Sequence, residues 1–210
     1  MGLLSSIGSA IGDIFSFSPL KKLLGFLAPE IKNSSQSVEV QRVGSDNAIP
    51  VVYGERMVGG VIIHKAVTGD NNEFLHYIVA FSHGPVEEIG EMFFNDISEN
   101  DSQFEKGPNG FLLIVRRNGE VGQPQIPGAV AEIPNWTDNH IGNNIAYAWV
   151  RLRISDKERI WNGEPEVRAI IKGRKVFDWR TGTTAFSKNN AVCTVDYLTN
   201  SIYGRGLNIS

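Results

Sequence analysis

Eight consecutive residues, Phe74-Leu75-His76-Tyr77-Ile78-Val79-Ala80-Phe81, constrain this chain more than any other stretch. In an extended strand Leu75, Tyr77, Val79 and Phe81 point one way and Phe74, His76, Ile78 and Ala80 the other, and both sets are largely apolar. Such a strand has no wet face, so it belongs at the centre of a sheet covered on both sides. Thr68-Gly69-Asp70-Asn71-Asn72 has hairpin-turn composition and joins it to an earlier strand, Val61 to Val67. His83-Gly84-Pro85 turns the chain into another strand, Val86 to Phe94, which ends at Asn95-Asp96.

The remaining patterns extend the same architecture. Ser37 to Gln41 alternates as a short strand, Val51 to Tyr53 forms another, and Gly54 opens a bend. Gly59-Gly60 mark a bulge or a close backbone approach. Phe111 to Arg117, followed by the turn signal Asn118-Gly119, predicts a further hairpin. Residues 120–135, with Pro124, Pro127 and Pro134, read as a long irregular loop, a kind of segment that often forms contact surfaces. In the next strand Ala146, Ala148, Val150, Leu152 and Ile154 face the core, and Tyr147, Trp149, Arg151 and Arg153 face outward. Outward Trp149, Arg151 and Arg153 suit a subunit contact, although burial beneath another loop accounts for them equally well.

From Ile170 to Gly206 the chain reads as one supersecondary unit. Val167, Ala169 and Ile171 alternate with Arg168, Ile170 and Lys172, which gives a strand with one buried face. Gly173 then permits a tight turn, Lys175-Val176-Phe177 resume extended chain, and Thr181-Gly182-Thr183-Thr184 lead towards a helix start. Ser187, Asn189 or Asn190 can cap that helix, and Ala191, Val192, Val195 and Leu198 gather on one side of it. Asn200 and Gly204 are its stop signals.

At the other end, Leu3, Leu4, Ile7, Ala10, Ile11, Ile14 and Phe15 recur at helical spacing until Phe17-Ser18-Pro19 breaks the pattern. Leu20, Leu23, Leu24 and Leu27 repeat the stripe. Asp13 and the serines and glycines spoil a membrane span, and a signal peptide would want positive charge before its apolar run. The stripe predicts packing on a protein partner, with Leu3, Leu4, Ile7, Ile11, Ile14 and Phe15 as contacts; a membrane-surface helix is the alternative. A polar linker, Pro29 to Gln36, separates this arm from the body. The expectation is therefore a helical arm and linker over 1–36 and a mainly β body, barrel or sandwich, over 37–210, with a subdivision left open near 120–140 and one short C-terminal helix.

Composition narrows the function. Of 210 residues 41% are apolar, 22 are glycine and the net charge is -3, which argues against a dedicated nucleic-acid binder. The charge is uneven: residues 1–150 hold 9 Lys/Arg against 17 Asp/Glu, and residues 151–210 hold 11 against 6. Such asymmetry can pair surfaces within an assembly or between domains, or it can be a solvated basic face. Cys193 alone excludes an intrachain disulfide, and its apolar-periodic position marks a buried small hydrophobe rather than a nucleophile. His64, His76 and His83 have separations that fix no common metal site. Glu87, Glu88, Glu91, Asp96, Glu99, Asp101 and Glu105 crowd one region, and paired carboxylates serve glycosidases, but a solvated edge is the plainer reading. No catalytic, cofactor or metal residue is assigned, and the expectation is a protein that is not an enzyme.

Several motifs stand in a telling order. Ile49-Pro50-Val51-Val52-Tyr53-Gly54-Glu55-Arg56-Met57-Val58-Gly59-Gly60 comes first, then Trp136-Thr137 with His140, and Ala146-Tyr147 with Val150-Arg151-Leu152. Gly173-Arg174, Asp178, Arg180-Thr181-Gly182, Ser187, Asn189, Ala191, Cys193, Asp196-Tyr197-Leu198-Thr199 and Tyr203-Gly204-Arg205-Gly206 follow. This series resembles the N-terminal region of phage tail-tip hub proteins of the lambda tip-attachment type, from about Ala48 to Gly206. Met57 stands where that family often has arginine, and Asn190 where it often has proline. The resemblance implies structural roles for Tyr53, Gly54, Gly59, Gly60, Gly173, Arg174, Asp178, Arg180, Gly182, Cys193, Tyr197, Leu198, Tyr203 and Gly204. It also implies a virion protein, made in the host cytoplasm, that trimerises at the distal end of the tail and caps or continues the tube. Its partners would be the distal tail protein, the tape-measure protein and other tail-tip proteins, with phage DNA passing through without specific binding. Hubs of this type continue past the YG-x-G segment, so receptor binding is not carried over. A tail-associated cell-wall hydrolase and a membrane-interacting tail component are the alternatives.

Overall fold

The computed structural model describes residues 42–43, 47–154, 160–161 and 163–208. The expected arm and linker, with Leu3, Leu4, Ile7, Ile11, Ile14 and Phe15, lie outside the described residues, as does the strand expected over Ser37 to Gln41. The strands are β1 Arg42–Val43, β2 Glu55–Gly59, β3 Val61–Thr68, β4 Phe74–His83, β5 Val86–Phe94, β6 Ile97–Ser98, β7 Leu112–Asn118, β8 Ile145–Arg153, β9 Val167–Asp178 and β10 Thr183–Phe186. The helices are α1 Pro127–Glu132 and α2 Asn190–Thr199. One sheet runs β1-β3-β4-β8-β7; the second runs β10-β9-β5-β6, with β2 also paired to β9. Among these strands only β1 and β3 pair in parallel.

The body is mainly β, as the alternating patterns predict, and takes the form of two packed sheets. β4 is central, between β3 and β8, and its interior residues are buried on both faces. Leu75, Tyr77, Val79 and Phe81 join Ala146, Ala148, Val150 and Leu152 of β8 on the inner face. There they meet Val86, Ile89, Met92 and Phe94 of β5 and Val167, Ala169 and Ile171 of β9. Burying each large side chain in this core contributes roughly 1.5–3 kcal/mol. Phe104 and Trp161 stack with ring centroids 4.9 Å apart and close one end of it against Phe94.

The hairpins follow from local chemistry. Asn95 and Asp96 both take positive φ, 50° and 69°, the geometry of a two-residue hairpin whose twist suits the flanking strands β5 and β6. β9 is long and shared. Its residues 168–172 pair with β2, 167–174 with β5 and 175–178 with β10.

Several sequence-based expectations are corrected. β9 does not turn at Gly173 but runs on to Asp178, and Thr183 and Thr184 belong to β10 rather than to a loop before the helix. Of the two readings of Gly59-Gly60 the close approach fits, since a Cβ on Gly60 would stand 2.2 Å from Cγ1 of Val79, and the bulge falls instead at Ile63, between the registered residues Ile62 and His64. β7 does pair with its successor, yet the connection is no tight turn at Asn118-Gly119; it occupies residues 119–144. That connection contains α1, where Pro127 in the first turn supplies a pre-set backbone angle. Ile154 lies past the end of β8 and is exposed, as is Ala191 on α2.

The most consequential correction concerns the outer face of the first sheet. Ile126, Ala129 and Ile133 cover Ile78, Tyr147 and Trp149, with Trp136 packed beside them. A Cβ built on Gly128 of α1 would stand 2.4 Å from Cζ3 of Trp149, so only a glycine lets the helix rest on the indole. Trp149 is 1% exposed and Arg151 6%. Both therefore contact their own chain, the second of the two readings that their outward register allowed. Arg153, half-buried, pairs with Glu73 at 2.8 Å.

Candidate functional site

Tyr53, Arg174, Asp196 and Tyr203 come together where the start of the body meets its end. Tyr53 Oη donates to Asp196 Oδ2 at 2.5 Å, and Tyr203 Oη donates to the same oxygen at 2.8 Å. Arg174 Nε lies 4.0 Å from that oxygen, and its guanidinium carbon stands 4.3 Å from the Tyr203 ring centroid. His83 packs against the other side of the cluster, its ring 5.9 Å from that of Tyr203. Two phenols, a carboxylate and a guanidinium from four separate segments thus form one knot.

Backbone contacts set the knot's geometry. Gly173 N–H donates to Gly54 O at 2.7 Å and Arg174 N–H to Val52 O at 2.8 Å. A Cβ on Gly173 would stand 2.2 Å from Val52 O, which explains the glycine as a close approach of β9 to the segment before β2 rather than a turn; the strand expected over Val51 to Tyr53 is not formed, and β2 begins only at Glu55. On α2 the Asn189 side chain accepts from Ala191 N–H and Val192 N–H, capping the helix as expected. After Asn200 the chain doubles back, with Arg205 N–H donating to Tyr197 O and Leu207 N–H to Leu198 O. That return places Tyr203 over Arg174.

The electrostatics favour a permanent fastening. Burial, then the hydrogen bond to Asp196, raises the Tyr53 phenol far above its ordinary range, and the same causes push Tyr203 up to about 12. Both phenols stay protonated and donating at any physiological pH. Burial, then the nearby Asp196, raises the Cys193 thiol; it is 9% exposed, with Sγ 3.5 Å from Ser187 O. A buried thiol pushed upward is a poor nucleophile.

The Asp178-x-Arg180-Thr181-Gly182 motif is the turn between β9 and β10. Asp178 accepts from Arg180 N–H at 3.0 Å and from its Nε and Nη2 at 2.9 and 2.6 Å, while Gly182 N–H donates to Asp178 O. The Arg180 hydrogen bonds hold the Asp178 carboxyl down at about 2. This hairpin and α2 border a groove lined by Phe177, Trp179, Val195, Asp196 and Thr199. Phe177 and Trp179 are 55% and 50% exposed. The groove thus lies beside the knot and shares Asp196 with it.

The charge asymmetry is largely met within the body. Lys172 reaches Glu88 at 2.6 Å, Lys175 lies 3.5 Å from Glu87, Arg168 pairs with Asp96, and Lys188 pairs with Glu55. Glu91 accepts from Ser98 Oγ and Asn100 Nδ2, and these bonds lower its pKa, the opposite of what a general acid requires. Buried Glu99 accepts from Met92 N–H and Arg116 and braces the corner after β6. Among the described residues no three His, Cys, Asp or Glu side chains are grouped to hold a metal, and no helix is long and apolar enough to cross a membrane.

No family model matches the sequence, and no curated protein matches it. Among solved structures the chain is similar to a chain of a "Virion of native gene transfer agent (GTA) particle", at 18% sequence identity and a TM-score of 0.43. The similarity covers 82% of this chain and 39% of that one.

Sequence reasoning picked out Tyr53, Arg174 and Tyr203 but not their meeting at Asp196, which no periodicity encodes. It also missed the exposure of Phe177 and Trp179. Their signal was available: the alternation that buries Val176 leaves Phe177 on the opposite face.

Proposed function

We infer that the chain is a structural component of a phage virion, a tail-tip hub element at the distal end of the tail, and that it acts as a trimer. The observation that supports this reading is the convergence of the hub-like motif residues Tyr53, Gly173, Arg174, Asp196 and Tyr203 on one fastening. These residues make a clasp that holds the segment before β2, β9 and the C-terminal helix together. The exposed pair Phe177 and Trp179 offers the apolar surface that an assembling subunit needs. Distal tail and tape-measure proteins are the further partners, and DNA passes without specific contacts. The arm, residues 1–36, adds a second contact through its apolar stripe.

The test is the mass of the purified chain by light scattering, with and without the first 30 residues, and for a Phe177→Ser, Trp179→Ser double variant. A trimer that the double variant reduces to monomer is the expected result. A wild-type monomer at every accessible concentration overturns the trimer, and turnover of peptidoglycan by the wild type that a Glu91→Gln variant loses overturns the structural reading.

A further inference from the structure

Two histidines of the first sheet touch the seam between sheet and cover, His76 through Trp149 and His64 through Trp136. His76 is 1% exposed and lies beneath Trp149, the two rings 4° from parallel. Trp149 Nε1 can only donate, so its 3.2 Å contact makes His76 Nδ1 an acceptor and fixes the neutral ring with its proton on Nε2, donated to Thr68 Oγ1 at 2.6 Å. A second proton would have to occupy the position where Trp149 donates. The charged groups around His76 are Arg151 on β8, its registered neighbour, and Glu132 on α1. These two pair with each other, Arg151 Nη1 lying 2.8 and 2.7 Å from the Glu132 oxygens, and Arg151 also donates to Pro108 O and covers the Phe74 ring.

A second histidine sits at the far end of the same cover. Trp136 stacks on His140 at 4.4 Å and packs against His64 of β3 at 5.5 Å. His140 Nδ1 accepts from Thr137 N–H at 2.9 Å, and His64 Nε2 is buried without a hydrogen-bond partner among the described residues. Ile78, opposite His64 on β4, brings no charge, and Lys65 beside it pairs with Glu164. His140 is therefore the titratable group that His64 faces. Burial lowers the His64 pKa, and His140 lowers it further.

We propose that residues 120–144, with α1, form an acid-released cover: proton uptake at His76 and His64 lifts the segment and uncovers the apolar face of Ile78, Tyr147 and Trp149. Both protonations oppose the closed form: a charged His76 loses the Trp149 hydrogen bond and Glu132 offsets only part of the cost of burial, and a charged His64 is buried facing Trp136 and His140. Burial holds His76 at about 4, with Arg151 adding to the shift and Glu132 opposing it, whereas an opened His76 would titrate at its ordinary 6.5. The sign follows: the closed cover is fully stable above pH 6.5, weakens as pH falls below that value, and stops weakening below about 4. By pH ~5 the open fraction should rise by more than ~10-fold from His76 alone.

Hydrogen exchange on the full chain tests this, comparing protection factors over 126–140 with those of β5 and β9 between pH ~7.5 and ~5. The cover should lose protection by more than ~10-fold relative to the inter-sheet core, and a His64→Gln, His76→Gln double variant should flatten the response. A constant ratio in the wild-type chain overturns the proposal, as does an undiminished response in the double variant. Should that variant fail to fold, the wild-type histidine resonances decide: His76 titrating near 6.5 while the cover keeps its protection also overturns it.

Discussion

The two faces of the first sheet are buried by different means. On the inner face Tyr77, Val79, Phe81, Ala148 and Val150 meet β5 and β9 through apolar contacts. On the outer face the neighbouring residues Ile78 and Trp149 lie beneath one connection and its short helix, which the Arg151–Glu132 ion pair ties down, with His76 bonded to Trp149 and His64 packed against Trp136. An apolar core resists changes of pH and salt, whereas a cover pinned by charged groups depends on their ionisation. One strand can therefore carry a permanent seam on one side and a conditional one on the other.

Substitutions should separate the two seams. Phe81→Ala, in the inner seam, should cost about 3–5 kcal/mol and lower the denaturation midpoint of the whole body in a single transition. Arg151→Ala leaves the Glu132 carboxylate and Pro108 O without their donor and should cost about 2–3 kcal/mol. Its distinguishing mark is selectivity: exchange should accelerate over 126–140 before it does in β5 and β9, and uniform acceleration would erase the proposed difference between the seams.

The clasp at the ends of the body should respond less than either seam. Asp196→Asn retains the shape but removes the charge that two phenols and Arg174 address, at a cost of about 1.5–2 kcal/mol in equilibrium unfolding. Asn189→Ala removes the cap of α2 and should cost about 1 kcal/mol, read from the same denaturation curves. Lys172→Ala, whose partner Glu88 is exposed, should change stability by less than about 0.5 kcal/mol. A larger effect there would mean that surface charge adds measurably to the backbone pairing between β9 and β5.

How much of this was legible follows the same division. The inner seam could be read directly, since period-two alternation in 75–81, 146–152 and 167–171 marks its residues. The outer seam could not, because Trp149 and Arg151 look like surface residues until something is known to lie over them. The covering helix spans only Pro127–Glu132, too short for a periodic signal, and its proline and glycine read as loop. The motif series drew attention to Tyr53, Arg174 and Tyr203, yet gave no sign of their common partner, because Tyr53 and Asp196 are 143 positions apart. Gly173 misled for a related reason. A glycine signals permissive backbone, and only the neighbouring Val52 carbonyl reveals that missing bulk, not a bend, is what the position requires.

The sharing of β9 among three partners bears on how the chain is made. β2 and β5 pair with residues 167–174, so each must wait for a strand that leaves the ribosome long after it. β3 and β4, joined by a short turn, can pair as soon as both emerge. Loop closure over such separations slows folding into the range typical of non-local β proteins and leaves edges unpaired during synthesis. The late strand is thus the rate-setting part of the molecule, and a nascent chain halted before it would present β5 as an open edge to its neighbours.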